Sequence, residues 1–360
     1  MCCSHADYSV EKEYADGLAK NTAAQKSQNA KDNILKFYSG NKVICDKAYQ
    51  YYKEYETNIS KFVKEPIHLT ADEFLQRLKD KKMLVLTANP IELGVLVRWL
   101  SEKNGSPLET YMVGGYAYNI YNGVNNNSTA PKEYSIIHVN PGMTGDDSTR
   151  RVINSTCKMF QPESIVSLGI CYGFDYEKYC IGHVFLSESL TVFRVNFRDS
   201  EGDTIKLEPE TEFDKQPAYK LVRSIRERIM YIMAQNFLSD DEEPVYAKMR
   251  LGKFLSTNSL MSNKNAKRTL VEQYCITKPV PLGGEMEGPG ILKSDIVQEK
   301  DYSNWLVVKS ICDWGEAKNE LDPDKEKSEQ IKDSLQAFAM TNTCSVFDKI
   351  LSELCEVQYE

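Results

Sequence analysis

From Met83 onward, short apolar runs alternate with amphipathic stretches, and that alternation limits the fold more than any other feature of the sequence. Met83-Leu84-Val85-Leu86-Thr87-Ala88 is apolar on both faces of a strand, Asn89-Pro90 stops it, and Ile91 to Leu100 continues as a helix. Strand-like runs follow at Thr110 to Tyr121 and Tyr134 to Val139. After Pro141-Gly142-Met143-Thr144-Gly145, a helix carrying Val152, Ile153 and Met159 leads into the strand Ser164 to Ile170. Further strand character lies at Gly182 to Leu190, Val192 to Phe197 and Trp305 to Asp313, and helical periodicity at Ala218 to Phe237 and Glu329 to Leu354. Strands that are apolar on both faces need cover on both faces. The expectation over residues 83–360 is therefore an α/β domain of three layers, with a mixed, mostly parallel central sheet flanked by helices.

Residues 1–80 follow a different pattern and are expected to form a helical N-terminal extension, partly flexible, whose first stretch is polar and rich in Ala, Lys, Asn and Gln. Apolar and aromatic residues from Ile34 to Lys64 recur at helical spacing, as in a striped helical hairpin that needs a partner surface. Thr70-Ala71-Asp72-Glu73 reads as a capping box opening a short helix over Phe74, Leu75 and Leu78. A dimerisation or packing role explains this extension better than a catalytic one.

A net charge of −8 argues against a general nucleic-acid or membrane-surface binder, either of which needs a basic face. No apolar run reaches the roughly 18 residues of a membrane span, and the first residues lack the basic-then-apolar order of a signal peptide, so a cytoplasmic protein is expected. Ten cysteines without CxxC spacing read as buried thiols, and with no HExxH or clustered His and Cys no metal is expected. No cofactor motif stands out either: Gly142-Met143-Thr144-Gly145 before a helix is an anion cradle in outline but fits neither GxGxxG nor a Walker loop. His138 and His183, inside strand-like runs, read as satisfied core histidines.

Three acids occupy strand-end or loop positions that core packing does not explain: Glu92, Glu287 and Asp313. Glu287 lies in Gly283-Gly284-Glu285-Met286-Glu287-Gly288-Pro289-Gly290, where glycines bring the backbone close to whatever the carboxylates face. Each acid comes from a different segment, as a site assembled at the carboxyl edge of a sheet requires. Each also has a plainer role: Glu92 at a helix N-terminus, Asp313 capping a turn, Glu287 solvated in a loop. Gly169-Ile170-Cys171 ends its strand with small residues, which suits close approach of a ligand or a tight turn.

These pieces, taken in order, match a family. Leu86 to Glu92, Ser167 to Gly173, Ile181 to Ser187, Gly284 to Gly288 and Val308 to Trp314 together resemble the nucleoside phosphorylase superfamily, in its nucleosidase branch. The resemblance implies the nucleoside phosphorylase-like fold and hydrolysis of the N-glycosidic bond of a purine nucleoside or nucleotide. It implies that Asp313 protonates the leaving base at N7, Glu92 positions and deprotonates the attacking water, and Glu287 holds the ribose hydroxyls with Met286 beneath the sugar. Glu285, Gly142, Met143, Gly169, Ile170 and Cys171 complete the expected substrate-binding set. By analogy with the superfamily a homo-oligomer is expected. The ending Ile311-Cys312-Asp313-Trp314-Gly315 is similar to nucleosidase modules of multidomain and defence proteins, some of which act on nucleotides such as ATP. For such a substrate Arg150, Arg151, Arg194 and Arg198 are the available cations. Phosphorolysis, or a nucleoside-sensing module without catalysis, are the alternatives.

Overall fold

The computed structural model describes residues 28–125, 132–142, 146–198, 204–238, 248–257, 281–299, 302–315 and 321–356. Two helices open it, α1 (28–40) and α2 (Lys42–Thr57). Strand β1 (Ile67–His68) and helix α3 (Ala71–Leu75) follow, the latter opened by the expected capping box of Thr70 and Glu73. Strand β2 (Lys81–Leu86) then leads through Asn89, the N-cap, and Pro90 into α4 (Pro90–Asn104). Pro90 sits where a missing N–H costs nothing, and Gly105 at φ +69° closes the other end.

The run expected from Thr110 to Tyr121 is two strands, β3 (Glu109–Val113) and β4 (Tyr116–Asn125). Gly114 and Gly115, both at positive φ, make a two-residue hairpin between paired Val113 and Tyr116. Beyond them lie β5 (Lys132–Val139), α5 (Asp146–Phe160), β6 (Ser164–Gly173), β7 (Val184–Arg198), β8 (Thr204–Lys215), α6 (Tyr219–Leu238), β9 (Met249–Thr257), β10 (Gly283–Glu285) and β11 (Trp305–Asp313). Short helices Gly288–Leu292 and Asp295–Glu299 and the long helix Lys325–Glu356 complete the described chain. No described helix is long and apolar enough to cross a membrane.

The strands form one sheet in the order β1-β3-β4-β5-β2-β6-β10-β9-β7-β11, with β8 hairpinned onto β7. Six pairings are parallel and five antiparallel. Because β11 also pairs with β6, the last five strands of that order close into a ring. The sheet is mixed, as expected, but its three-layer, mostly parallel form is corrected: it is partly closed. The reason lies in β6, whose early residues pair with β2 and whose last residues, Tyr172 and Gly173, pair instead with Gly284 and Gly283. At that exchange of neighbours the sheet parts, and strand ends from three directions face one space.

The helical hairpin finds its partner surface within this chain. Ala30, Ile34, Tyr38, Cys45, Ala48 and Tyr52 belong to the main apolar core, and Phe37 packs on Phe338 of the long C-terminal helix with ring centroids 5.7 Å apart. Gly94 of α4 lets α2 approach, since a Cβ there would lie 2.7 Å from the Tyr55 ring.

Candidate active site

The space beside the end of β6 is a cavity of about 140 Å³. Its lining includes Glu92, Ile170, Cys171, Glu285, Met286, Glu287 and Asp313, brought from the start of α4, from β6, from β10 and its following turn, and from β11. Three acids distant in sequence therefore share one buried space.

Glu92 is held by the cap that its sequence position suggests, and also faces the cavity. Its Oε2 accepts from the backbone N–H groups of Ala88 at 2.6 Å and Asn89 at 3.1 Å, while Oε1 accepts from Ile170 N at 2.8 Å. The side chain of Asn89 returns the cap, accepting from Glu92 N at 2.9 Å. Burial pushes the Glu92 carboxyl up from its ordinary range; nearby Lys309 pulls it back and Glu287 adds to the rise. A carboxylate with raised proton affinity suits removal of a proton from water.

Lys309 joins the acids. It is fully buried in β11, donates to Glu287 Oε2 at 2.9 Å and lies 3.9 Å from Glu92 Oε1. Burial works against its ammonium, yet Glu287, Glu92 and Glu285 together outweigh that cost and hold its pKa above the usual lysine value. It is a fixed cation that orients both carboxylates. Gly169 makes the arrangement possible: a Cβ there would lie 2.2 Å from Glu92 Oε1 and 2.7 Å from Lys309 Nζ. That residue backs the site and does not line the cavity.

Glu285 has a structural task as well as a place in the wall. Its carboxyl accepts from Glu287 N at 2.9 Å and from Gly288 N at 2.9 and 3.1 Å, and so folds the Glu-Met-Glu turn. Burial first, then the Glu287 carboxylate, push the Glu285 carboxyl up to about 7. Since that lies above the ordinary 4.5, the folded chain binds this proton more tightly than the unfolded chain does, and the associated stability is lost as pH rises between 4.5 and about 7. Urea midpoints of Glu285→Gln are expected to decline less across that interval than those of the parent protein. Parallel declines would show that Glu285 contributes no such dependence.

Asp313 ends β11 after a register shift against β6 at Ile311/Asp313, a bulge that re-aims the strand end. Its Oδ1 accepts from Gly315 N at 2.5 Å, and the Cys312 thiol donates to its Oδ2 at 3.3 Å. The acid thus caps its turn and lines the cavity. Gly142, expected in the binding set, is exposed at φ +78°, donates to Asn140 Oδ1 at 2.7 Å and does not line the cavity. Met143 lies outside the described residues, as do the side chains of Arg194 and Arg198. Arg150 pairs with Asp147 at 2.9 Å on the exposed face of α5, and neither it nor Arg151 lines the cavity.

His138 is buried between Thr87 Oγ1 at 3.0 Å and Asn119 Nδ2 at 3.3 Å, with its pKa lowered to about 3 by burial. The His183 ring accepts from Cys180 N at 3.4 Å. Cys45, Cys157, Cys171, Cys180, Cys312 and Cys344 are free thiols, and among the described residues no group of three or more His, Cys, Asp or Glu is arranged to hold a metal.

Sequence reasoning passed over Lys309 and Gln336, a cavity-lining residue of the C-terminal helix. A signal for Lys309 was present, for a lysine at the centre of a nine-residue strand, directly after the apolar run Trp305 to Val308, has no route to solvent and needs a buried partner. Nothing local marks Gln336.

Comparison with known proteins places the fold. No family model matches the sequence. A Death domain-containing ATP nucleosidase of Amphimedon queenslandica is 25% identical over 190 residues, covering 49% of this chain and 33% of the relative; the chain thus matches about a third of that protein's length. Among solved structures, futalosine hydrolase of Helicobacter pylori strain 26695 superposes with a TM-score of 0.53 at 16% identity, over 76% of this chain and 98% of that one. A 5′-methylthioadenosine/S-adenosylhomocysteine nucleosidase of Colwellia psychrerythraea 34H, solved with adenine, gives 0.54 at 18% identity, over 79% and 99%. The chain has the nucleoside phosphorylase/nucleosidase fold.

Proposed function

We propose that the protein hydrolyses the N-glycosidic bond of a purine nucleoside or nucleotide. The observation that carries this reading is the convergence of Glu92, Glu287 and Asp313 on one cavity, with Lys309 fixing the first two. Glu287 holds the ribose hydroxyls and Met286 lies against the sugar. Asp313 delivers a proton to N7 of the base as the C1′–N9 bond breaks and its electron pair passes to the base. Water adds at the oxocarbenium-like C1′ and gives its proton to Glu92, so that base and ribose leave as neutral products. Carboxylates around a sugar that develops positive charge stabilise it electrostatically.

Water is favoured over phosphate as the nucleophile. No described residue lining the cavity is cationic, so a free phosphate dianion finds no counter-charge in its wall. The matched relative's activity on ATP makes a nucleotide the substrate to try first, beside adenosine, methylthioadenosine and S-adenosylhomocysteine. Purified protein is expected to release free base from at least one of these, at a rate indifferent to added phosphate. A rate that rises with phosphate would establish phosphorolysis, and release from none would exclude the reaction for these purines.

A further inference from the structure

Asp313 is anchored from outside the sheet that carries it. The next residue, Trp314, is fully buried, and its indole N–H donates to Asn33 Oδ1 of α1 at 3.0 Å across 281 positions of sequence. A buried indole N–H needs an acceptor, and the opening helix supplies one. The ring has little freedom otherwise: a Cβ at Gly173 would lie 2.4 Å from its Cζ3, and Tyr176 stands edge-on with centroids 6.1 Å apart. Trp314 is also the middle residue of the turn in which Gly315 N donates to Asp313 Oδ1 at 2.5 Å. Gly315 holds φ +70° there, and a Cβ would meet the Tyr172 ring at 3.1 Å.

We propose that Asn33 is a positioning residue for the proton donor Asp313, acting through the Trp314 indole; the proposal rests on the nucleosidase reading above. Without Asn33 as acceptor the packed indole re-seats by a fraction of an ångström to about 1 Å, and the turn it belongs to shifts with it, changing the distance from Gly315 N to Asp313 Oδ1. A reacting group displaced by about 1 Å can cost up to about a hundredfold in rate. The opening helical hairpin is then a working part of the catalytic unit.

The experiment follows base release from whichever purine substrate the protein turns over. Asn33→Ala is expected to lower kcat about tenfold to a hundredfold with KM within about threefold, because the substrate-holding groups are untouched. Asn33→Asp should restore most of the rate, since its oxygen accepts the same bond. Trp314→Phe, which keeps a ring and removes the donor, should reproduce the loss. In an Asp313→Asn background, Asn33→Ala should cost nothing further. With only three tryptophans in the sequence, the indole N–H spectrum shows directly whether the Trp314 resonance moves in folded Asn33→Ala. Full kcat in Asn33→Ala, or an equal fold-loss in the Asp313→Asn background, overturns the positioning role alone. A parent protein that releases no base overturns the nucleosidase reading, and this role with it.

Discussion

Asp313→Asn is expected to lower base release about a hundredfold or more, as for loss of a general acid, while substrate binding stays within a few-fold of the parent protein. The substitution is nearly isosteric. An asparagine oxygen can still accept from Gly315 N, so the turn that carries Asp313 keeps its main bond. What disappears is a transferable proton, needed only as the base departs, so the loss falls on kcat and not on KM. The variant also separates an enzyme from a nucleoside-sensing module, because a sensor needs the ribose ligand but no proton donor. Equal turnover in parent and variant would remove Asp313 from the chemistry.

Lys309→Met is expected to have the largest effect on stability, about 3–5 kcal/mol, as when one partner of a buried ion pair is removed. Glu287 loses its donor at 2.9 Å, and Glu92 loses the charge that offsets its burial. With Lys309 gone, the Glu92 carboxyl is pushed further above its ordinary range. A raised folded pKa means stability lost as pH rises, so the deficit of the variant should be smaller in acid and grow toward neutral pH. Urea denaturation across that range reads the slope directly. A constant deficit would show that the carboxylates do not depend on Lys309 for their charge.

Much of this was legible in the sequence where local rules and the global fold agree. Met83 to Leu86 is a strand and Asn89-Pro90 opens a helix because stop, cap and N1 proline act within a few residues of one another. Glu92, Glu287 and Asp313 stood out because strand-end acids and glycine-flanked turns are chemically conspicuous, whereas Glu285, Met286, Ile170 and Cys171 joined them through the family resemblance. Ring closure was not legible. Pairing of β11 with β6 is a long-range choice between similar apolar runs, and nothing in Trp305 to Asp313 says which neighbours it takes. Gly142 does not line the cavity, and a positive-φ glycine serves a turn as readily as a ligand. The helical stripe gave the need for a partner surface without revealing that α4 and the C-terminal helix provide it.

The parting of the sheet at the end of β6 has a consequence for the order in which the molecule is made. Its cavity wall draws on residues near 88–92, 170–172, 284–287, 312–313 and 336. During synthesis a nascent chain displays Glu92 and later the Glu-Met-Glu turn well before Asp313 emerges, and Lys309, which reconciles the buried carboxylates, arrives only just ahead of it. Until β11 slides between β6 and β7, those acids have neither counter-charge nor shelter. Competence therefore waits until β11, and the helix after it that adds Gln336, have docked.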